Sequence, residues 1–333
     1  MKSAFLYKKE DLKIHEVDIP QINSNEVLLK VLSCGICGSD KRMFFNGPSY
    51  RYKVPIVLGH EICGKVVKTG SNVTSFKNEN IVVVAPIIPC MKCKSCLSGL
   101  DNLCEENLLI GATIHGGFSE YMLIPEQMIS TGGLAKIESN VSTNVASFIE
   151  LIACCLNIID GIKFKETDNV LIVGDGPTGF IFSQLIEFYK VQNISIVLKH
   201  KEKESIADKF DFKEVKYSLK DFDKKFNHVI LSNSDKTIIN ESIDLLKVGG
   251  NLFLFSGYHD GLTTEIDLNK IHYKQLKVHG GVDSTIKNFH KAASIISELN
   301  LNSLISKTYL LSDIEEAFYE TRNKKNIKII INP

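Results

Sequence analysis

Two patterns of hydrophobic residues divide the chain. In the first third, apolar runs rich in β-branched residues, such as 27–33 (VLLKVLS) and 81–86 (IVVVAP), are separated by segments that contain Gly, Asn and Pro. This pattern predicts short strands joined by turns. From residue 169 onward, strand-like apolar runs alternate with segments of helical length. That alternation predicts an α/β domain with a parallel sheet.

The second pattern predicts individual elements. We expect strands at 169–174, 194–199, 228–232 and 251–257, and helices at 180–190, 204–210 and 239–247. Near the C-terminus, a predicted helix at 313–323 precedes a β-branched strand at 327–331. The change of pattern places a domain boundary near 150–165, and we expect the last few dozen residues to return to the first domain.

Composition narrows the class of protein. A length of 333 residues exceeds the usual size of one domain, so two cores are expected. Lys plus Arg (39) equals Asp plus Glu (39), which favours neither nucleic acid nor an anionic membrane as partner and leaves a small-molecule function. No apolar run approaches the roughly 20 residues that span a bilayer. With no signal-peptide pattern at the N-terminus, we expect a cytoplasmic protein.

Four cysteines lie close together at the spacing C-x2-C-x2-C-x7-C. They are Cys90, Cys93, Cys96 and Cys104. Two-residue gaps let neighbouring thiolates converge on one ion, and four thiolates satisfy tetrahedral zinc without an open position. An iron–sulfur cluster also uses closely spaced cysteines, but nothing else in the sequence indicates electron transfer. The spacing therefore predicts a structural zinc site.

A second group of metal-binding residue types lies nearer the N-terminus. Cys37, His60 and Glu61 offer one thiolate, one imidazole and one carboxylate, and three protein ligands with a vacant fourth position are typical of catalytic zinc. Zinc in such a site binds a substrate hydroxyl and lowers its pKa. Glu150 is a further candidate ligand. Cys34 forms a second C-x2-C with Cys37, so spacing alone leaves open which of the two binds the metal.

A glycine-rich turn follows the predicted strand that starts at residue 169. It consists of Gly174, Asp175, Gly176, Pro177, Thr178 and Gly179. The glycines of a G-x-G-x-x-G turn let the backbone approach a pyrophosphate, which rests on the N-terminus of the following helix. Because the turn lies between a predicted strand and a predicted helix, it predicts a dinucleotide-binding site rather than a glycine-rich turn without a ligand.

The end of the next strand bears on the choice of cofactor. NAD enzymes usually carry Asp or Glu there to bind the ribose 2′-hydroxyl. This strand is followed by Lys199, His200 and Lys201, with no acid before Glu202. A basic cluster suits a 2′-phosphate, so the sequence predicts NADP in preference to NAD. The alternative is a solvated run of charges at the start of a helix.

Together these motifs resemble the zinc-containing medium-chain dehydrogenase/reductase superfamily, over essentially the whole chain. The resemblance rests on the GICGSD, GHExxGxxxxxG and GxGxxG motifs, the four-cysteine lobe and the segment 116–126 (GGFSEYMLIPE). It implies a GroES-like, mostly β catalytic domain at 1–150, with a return of about 295–333, and a Rossmann coenzyme domain with a doubly wound parallel sheet at 151–294. It also implies a homodimer or homotetramer.

The resemblance also implies roles for the metal-binding residues. The cysteine of GICGSD that binds catalytic zinc in the superfamily matches Cys37, which sets Cys34 aside, and His60 matches the second ligand. Polyol- and threonine-type members use the glutamate that matches Glu61 as a further ligand. Other members use the glutamate that matches Glu150. The third protein ligand is therefore open between these two carboxylates.

Other matched positions concern the substrate. Ser39 matches the hydroxyl that receives the substrate proton, and Asp40 the carboxylate that orients the zinc ligands. Arg42 stands where many polyol and threonine members have a proton-relay histidine, and arginine cannot act as a base near neutral pH. The chain is most similar to sorbitol and hexitol dehydrogenases, including galactitol-phosphate types. Arg42, Arg51 and Lys53 are candidates to bind a substrate phosphate.

The sequence therefore predicts a zinc-dependent enzyme that transfers a hydride between a nicotinamide cofactor and a secondary alcohol of a polyol or polyol phosphate. A simple alcohol dehydrogenase or a threonine-type amino-alcohol dehydrogenase is the alternative on the same scaffold. A non-catalytic relative that binds NADP(H) belongs to a different functional class. Intact Cys37, Ser39 and His60 argue against it.

Overall fold

The structure, a computed structural model, describes residues 1–258 and 261–333. The chain divides into two units. The first comprises Met1–Ala153, Ser284–Ser297 and Ile305–Pro333, and the second comprises Cys154–Asp283 and Glu298–Leu304. The sequence placed the first boundary at residue 150 and the return at about 295. In the structure the return begins at Ser284 and is interrupted once.

Short strands are the main regular secondary structure of the first unit. Its strands are β1 (Lys2–Lys8), β2 (Asp11–Glu16), β3 (Val27–Gly35), β4 (Ile56–Val57), β5 (Glu61–Thr69), β6 (Ile81–Val84), β7 (Ile87–Ile88), β8 (Leu108–Leu109), β9 (Tyr121–Ile124), β10 (Leu134–Lys136), β17 (Ile305–Leu310) and β18 (Lys328–Asn332). Its helices are α1 (Gly38–Asn46), α2 (Lys94–Leu97), α3 (Glu126–Ser130), α4 (Thr143–Ala146), α5 (Ile149–Ile159, which continues into the second unit), α10 (Ile286–Ile295) and α11 (Ile314–Glu320).

A seven-stranded sheet brings the two ligand motifs of the first unit together. Its strand order is β10-β6-β5-β3-β18-β17, and β9 also pairs with β3. In the antiparallel β3–β5 pair, Gly35 lies opposite Glu61. The C-terminal β18 pairs with the same end of β3, where Ile330 lies opposite Gly35. The ends of three strands from distant parts of the sequence therefore meet near Cys37 and His60.

The second unit alternates strands and helices. It contains β11 (Asn169–Val173), α6 (Pro177–Phe188), β12 (Asn193–Val197), α7 (Glu204–Ala207), β13 (Glu214–Lys216), β14 (Phe226–Leu231), α8 (Ile239–Asp244), β15 (Leu246–Leu254), α9 (Leu268–Lys274) and β16 (Lys277–Gly280). The strands pair in parallel in the order β13-β12-β11-β14-β15-β16. Counted within the unit, this is the doubly wound order 3-2-1-4-5-6. The predicted α/β fold class is confirmed.

Element boundaries differ from the sequence prediction where tertiary pairing outweighs local preference. The predicted helix at 239–247 ends at Asp244, because Leu246 pairs with Phe226 of the neighbouring strand and begins β15. The predicted helix at 204–210 contains only one α-helical turn, Glu204–Ala207. Among the described residues, no helix is long and apolar enough to cross a membrane.

Candidate functional site

The four-cysteine lobe has the geometry of a closed metal site. The sulfur atoms of Cys90, Cys93, Cys96 and Cys104 all lie within 4.8 Å of one another. Two of their separations are 4.0 Å (Cys90–Cys96) and 3.9 Å (Cys93–Cys104). Four zinc–sulfur bonds of about 2.3 Å in a tetrahedron need similar separations. Among the described residues, this is the only group of three or more Cys, His, Asp or Glu that is so closely assembled.

Backbone N–H groups of the lobe donate hydrogen bonds to cysteine sulfur atoms, which favours thiolates. The N–H of Cys90 donates to Cys104 Sγ at 3.2 Å, and the N–H of Cys93 donates to Cys90 Sγ at 3.3 Å. A hydrogen bond from the Cys96 backbone lowers the pKa of Cys93 to about 6, whereas burial raises the pKa of Cys96 to about 12. Before a metal binds, Cys93 therefore ionises more readily than Cys96.

The backbone of Cys37 and the ring of His60 meet at the buried carboxylate of Asp40. Cys37 caps the N-terminus of α1, and Asp40 lies three residues later, so its Oδ2 accepts the Cys37 N–H at 2.9 Å. Asp40 Oδ1 accepts the N–H of Gly59 at 3.3 Å and lies 3.5 Å from Nδ1 of His60. One carboxylate thus holds both segments. A proton on His60 Nδ1 leaves Nε2 free to bind a metal.

The electrostatics of this cluster favour a cation. Burial alone would lower the pKa of His60, but Asp40 and then Cys37, which is within hydrogen-bond reach of the ring, raise it well above its usual value. The same negative groups would attract a divalent metal ion. Ser39 Oγ lies 3.4 Å from His60 Nε2. Cys37, Ser39 and His60 are therefore brought together, and their roles stay predictions.

Glu61, the first residue of β5, is completely buried. Its carboxylate forms an ion pair with the ammonium of Lys328 on β18, and both side chains are almost completely buried. The carboxylate also lies against Gly35, where a Cβ atom would be 2.1 Å from Glu61 Oε2. Burial would lower the pKa of Lys328, but Glu61 first, and Cys37 and Glu150 after it, raise it. This ion pair occupies the carboxylate that the sequence offered as a zinc ligand.

The remaining two candidates from the sequence are buried nearby. Glu150 lies in the first turn of α5, and its charge acts on Lys328. Cys34 is fully buried within β3, and burial, followed by the charges of Asp40 and Glu61, raises its pKa well above the usual range. Such a thiol is a poor source of thiolate. Cys37, partly exposed at the start of α1, is better placed to bind a metal.

Sequence reasoning missed Lys328 and Tyr52. Lys328 is the one charged residue in the apolar strand β18, and that isolation is the signal that could have found it. Tyr52 is half-buried, and burial first and then Asp40 raise its pKa, with smaller effects of His60, Cys37 and Arg42. Tyr52 therefore lies in the field of the Cys37–His60 cluster.

The glycine-rich turn leaves open space for a cofactor where the motif requires it. Gly174 has φ +129°, and a Cβ on Gly179 would lie 2.1 Å from the Gly174 carbonyl oxygen, so neither position tolerates a side chain. A Cβ on Gly176, the N-cap of α6, would meet nothing within 4 Å. Pro177 and Thr178 follow in the first turn of the 12-residue helix. The turn therefore fits a pyrophosphate at the helix N-terminus.

The basic segment after β12 is bound to this turn. Asp175, inside the glycine motif, accepts the N–H groups of Lys199 and His200 at 2.9 and 2.8 Å and the His200 ring at 3.1 Å. Lys203 donates to the Asp175 carbonyl at 2.8 Å. Sequence reasoning missed Asp175 as well; its signal was an acid between two glycines of the motif. Lys201 is exposed.

The candidate phosphate-binding cations lie on the surface. Arg42 and Lys53 are exposed, and Arg51 is exposed with its guanidinium 5.7 Å from the centre of the Tyr50 ring. Among them, Arg42 acts electrostatically on Tyr52. Their role in binding a substrate phosphate stays a prediction.

Comparison with known proteins shows that the chain is similar to dehydrogenases. Residues 23–132 match the family of alcohol dehydrogenase GroES-like domains. D-arabinitol dehydrogenase 1 of Uromyces fabae is 25% identical over 100% of this chain and 97% of its own length. L-galactonate-5-dehydrogenase of Escherichia coli K12 is 28% identical over 99% and 98%. A solved structure, described as a zinc-binding dehydrogenase from Sinorhizobium meliloti 1021 bound to NADP, has TM-score 0.91 at 24% identity over 100% and 99%.

The affinity of the four-cysteine lobe for zinc should fall as the pH is lowered, and it should fall more steeply below about pH 6. Zinc binds thiolates, so protons compete with it, and below about 6 Cys93 is protonated as well. Competition with a chromogenic chelator between pH 5 and 8 measures the dependence. Cys154→Ser, which removes a cysteine outside the lobe, should not alter it. A pH-independent affinity would contradict a site made of four thiolates.

Removing one partner of the Glu61–Lys328 pair should destabilise the fold. Glu61→Ala leaves a buried ammonium uncompensated, which costs about 3–5 kcal/mol of unfolding free energy. Urea unfolding measures the loss. Glu79→Ala is the matched control, because the Lys65–Glu79 pair (3.0 Å) is exposed and should contribute less than about 1 kcal/mol. Equal losses of unfolding free energy in the two variants would contradict a larger contribution from the buried pair.

Proposed function

Because the chain belongs to the zinc-containing medium-chain dehydrogenase/reductase superfamily, we propose that it oxidises a secondary alcohol of a polyol or polyol phosphate, reversibly, with a nicotinamide cofactor. One observation carries the proposal. Cys37 and His60 meet at Asp40 in a chain whose full-length relatives include enzymes named for arabinitol and galactonate. The glycine-rich turn at the N-terminus of α6 supports the cofactor.

Two zinc ions per chain are proposed. The four-cysteine lobe would hold the structural ion, since its sulfur atoms already have the required separations. Cys37 and His60 would hold the catalytic ion together with one carboxylate. Glu150 is the better candidate than Glu61, because the Glu61 carboxylate is engaged by Lys328. With Glu150, the set offers one thiolate, one imidazole and one carboxylate, which suits zinc.

The residues around Cys37 have separate tasks in this proposal. A zinc ion held by Cys37 and His60 would lower the pKa of the substrate hydroxyl, and a nicotinamide held at the glycine-rich turn would supply the hydride acceptor. Asp40 holds the two ligand segments and lies next to His60 Nδ1, so that Nε2 would be the nitrogen that binds the metal. Ser39 Oγ, 3.4 Å from that nitrogen, is placed to accept the hydroxyl proton. Arg42 cannot pass it on as a base, so the proton leaves through water or the cofactor ribose.

The finer parts of the proposal concern assembly and cofactor. A homodimer or homotetramer is proposed from the superfamily resemblance. The preference for NADP that the sequence predicted rests on Lys199, His200 and Lys201, and it stays a prediction. Of these, His200 is hydrogen-bonded to Asp175.

Metal analysis tests the division into two zinc sites. The purified chain should contain two zinc ions, and Cys37→Ala should retain one, because the four-cysteine lobe does not depend on Cys37. Glu150→Gln should also lose the catalytic zinc, whereas Glu61→Gln should retain it. Loss of both ions from Cys37→Ala, or loss with Glu61→Gln but not with Glu150→Gln, would contradict the assignment.

A panel of polyols, polyol phosphates, simple alcohols and threonine, each with NAD and NADP, tests the activity. Absorbance of the reduced nicotinamide should rise with at least one polyol or polyol phosphate. Ser39→Ala should lower kcat by roughly 10²–10⁴-fold, because it removes the group that accepts the proton. Turnover of simple alcohols or threonine alone would overturn the proposed substrate class. Cys154→Ser serves as a control that should keep full activity.

A further inference from the structure

We propose that Asp175, inside the glycine-rich turn, supplies the carboxylate that binds the adenosine ribose 2′-hydroxyl, and that it makes the chain prefer NAD(H) to NADP(H). The inference rests on the proposed function, because it takes the turn to be the dinucleotide site. It reverses the preference that the basic residues after β12 suggested from the sequence.

A Rossmann unit that selects NAD needs a carboxylate at the end of its second strand. There the carboxylate accepts hydrogen bonds from the ribose hydroxyls, and its charge repels a 2′-phosphate. In the second unit this strand is β12, which ends at Val197. The next residue, Leu198, is completely buried and apolar. The strand itself therefore provides no acid at that position.

The Asp175 carboxylate lies at this same place, although it comes from the turn after β11. Its Oδ2 accepts the N–H groups of Lys199 and His200, at 2.9 and 2.8 Å, and the His200 Nδ1 donor at 3.1 Å. These two residues follow directly after Leu198. The carboxylate is therefore held at the carboxyl end of β12, where the strand lacks an acid of its own.

One oxygen of Asp175 retains capacity for a ligand. Oδ2 accepts three donors from the protein. Within the described part of the chain, the hydrogen-bond partner of Oδ1 is the Lys203 ammonium, 3.5 Å away. Lys203 donates its shorter hydrogen bond, of 2.8 Å, to the Asp175 backbone carbonyl. Because Oδ1 has two lone pairs and a single long contact, it can still accept a hydrogen bond from a ribose hydroxyl.

The cations of the basic segment are already compensated within the protein. The buried Lys203 and the His200 ring both bind Asp175. The Lys201 ammonium lies 5.4 Å from the centre of the Tyr217 ring. A 2′-phosphate would have to compete for these cations beside a fixed carboxylate.

Lys199 also has an acidic neighbour. Hydrogen bonds from Thr237, and to a smaller extent the charge of Lys199, lower the pKa of Asp235. Two further acids, Glu202 and Glu204, lie within the segment itself. The three lysines are therefore matched by four acids, counting Asp175 and Asp235. The segment is not the cationic site that its lysines alone suggest.

Equilibrium binding of NADH and NADPH tests the proposal without any alcohol substrate. Isothermal titration calorimetry of the wild type should give an NADH dissociation constant at least about tenfold below that of NADPH, the factor expected from one hydrogen bond to a charged group. Asp175→Asn should weaken NADH binding roughly tenfold and NADPH binding much less. The ratio of the NADPH to the NADH dissociation constant should then approach one.

Glu202→Gln is the matched control, because it removes the same charge from the neighbouring loop. It should change the ratio by less than about twofold, as surface charges are screened. Asp175→Glu keeps the charge but displaces the carboxylate, and it replaces Asp175→Asn if that variant does not fold. It should also lower the ratio of the NADPH to the NADH dissociation constant. Tighter binding of NADPH by the wild type, or a shift with Glu202→Gln alone, overturns this inference. Binding of neither cofactor overturns the proposed function as well.

Discussion

The buried carboxylate of Asp40 is the interaction on which the candidate centre of the first unit depends. It accepts N–H groups from two separate segments, at Cys37 and Gly59, and it holds the ring of His60. A buried carboxylate is unfavourable unless such donors surround it, so the same contacts that stabilise Asp40 fix both segments. Because the strands β3 and β5 that carry these segments are paired, the donor atoms of Cys37 and His60 converge on one point.

Asp175 has a comparable task in the second unit. It joins the glycine-rich turn after β11 to the segment after β12, again through backbone N–H groups that a carboxylate satisfies. In both units a strand end delivers a loop, and one buried acid fixes that loop to its neighbour. The two sites differ in which atoms can bind a ligand. Around Asp40 the metal-binding atoms belong to its partners, whereas at Asp175 the carboxylate itself retains a free acceptor position.

Much of the fold and part of the site could be predicted from the sequence, because their signals are local. Alternation of apolar runs gave the parallel sheet, and spacing gave the four-cysteine lobe, since all four residues lie within one loop. The pairing of Lys328 with Glu61 could not be predicted, because the two strands lie far apart in the sequence and only the β18–β3–β5 order brings them together. The contacts of the basic residues at 199–201 could not be predicted for the same reason. Lys199 and His200 donate hydrogen bonds to Asp175, which follows a different strand, β11.

We propose that one chain holds two zinc ions of different kinds. Anomalous diffraction at the zinc absorption edge, from crystals grown with zinc and NADH, tests it most directly because it locates each ion. The account predicts two peaks per chain, one enclosed by Cys90, Cys93, Cys96 and Cys104, and one in contact with Cys37 and His60. A single peak in the four-cysteine lobe, or a second peak away from Cys37 and His60, would contradict it.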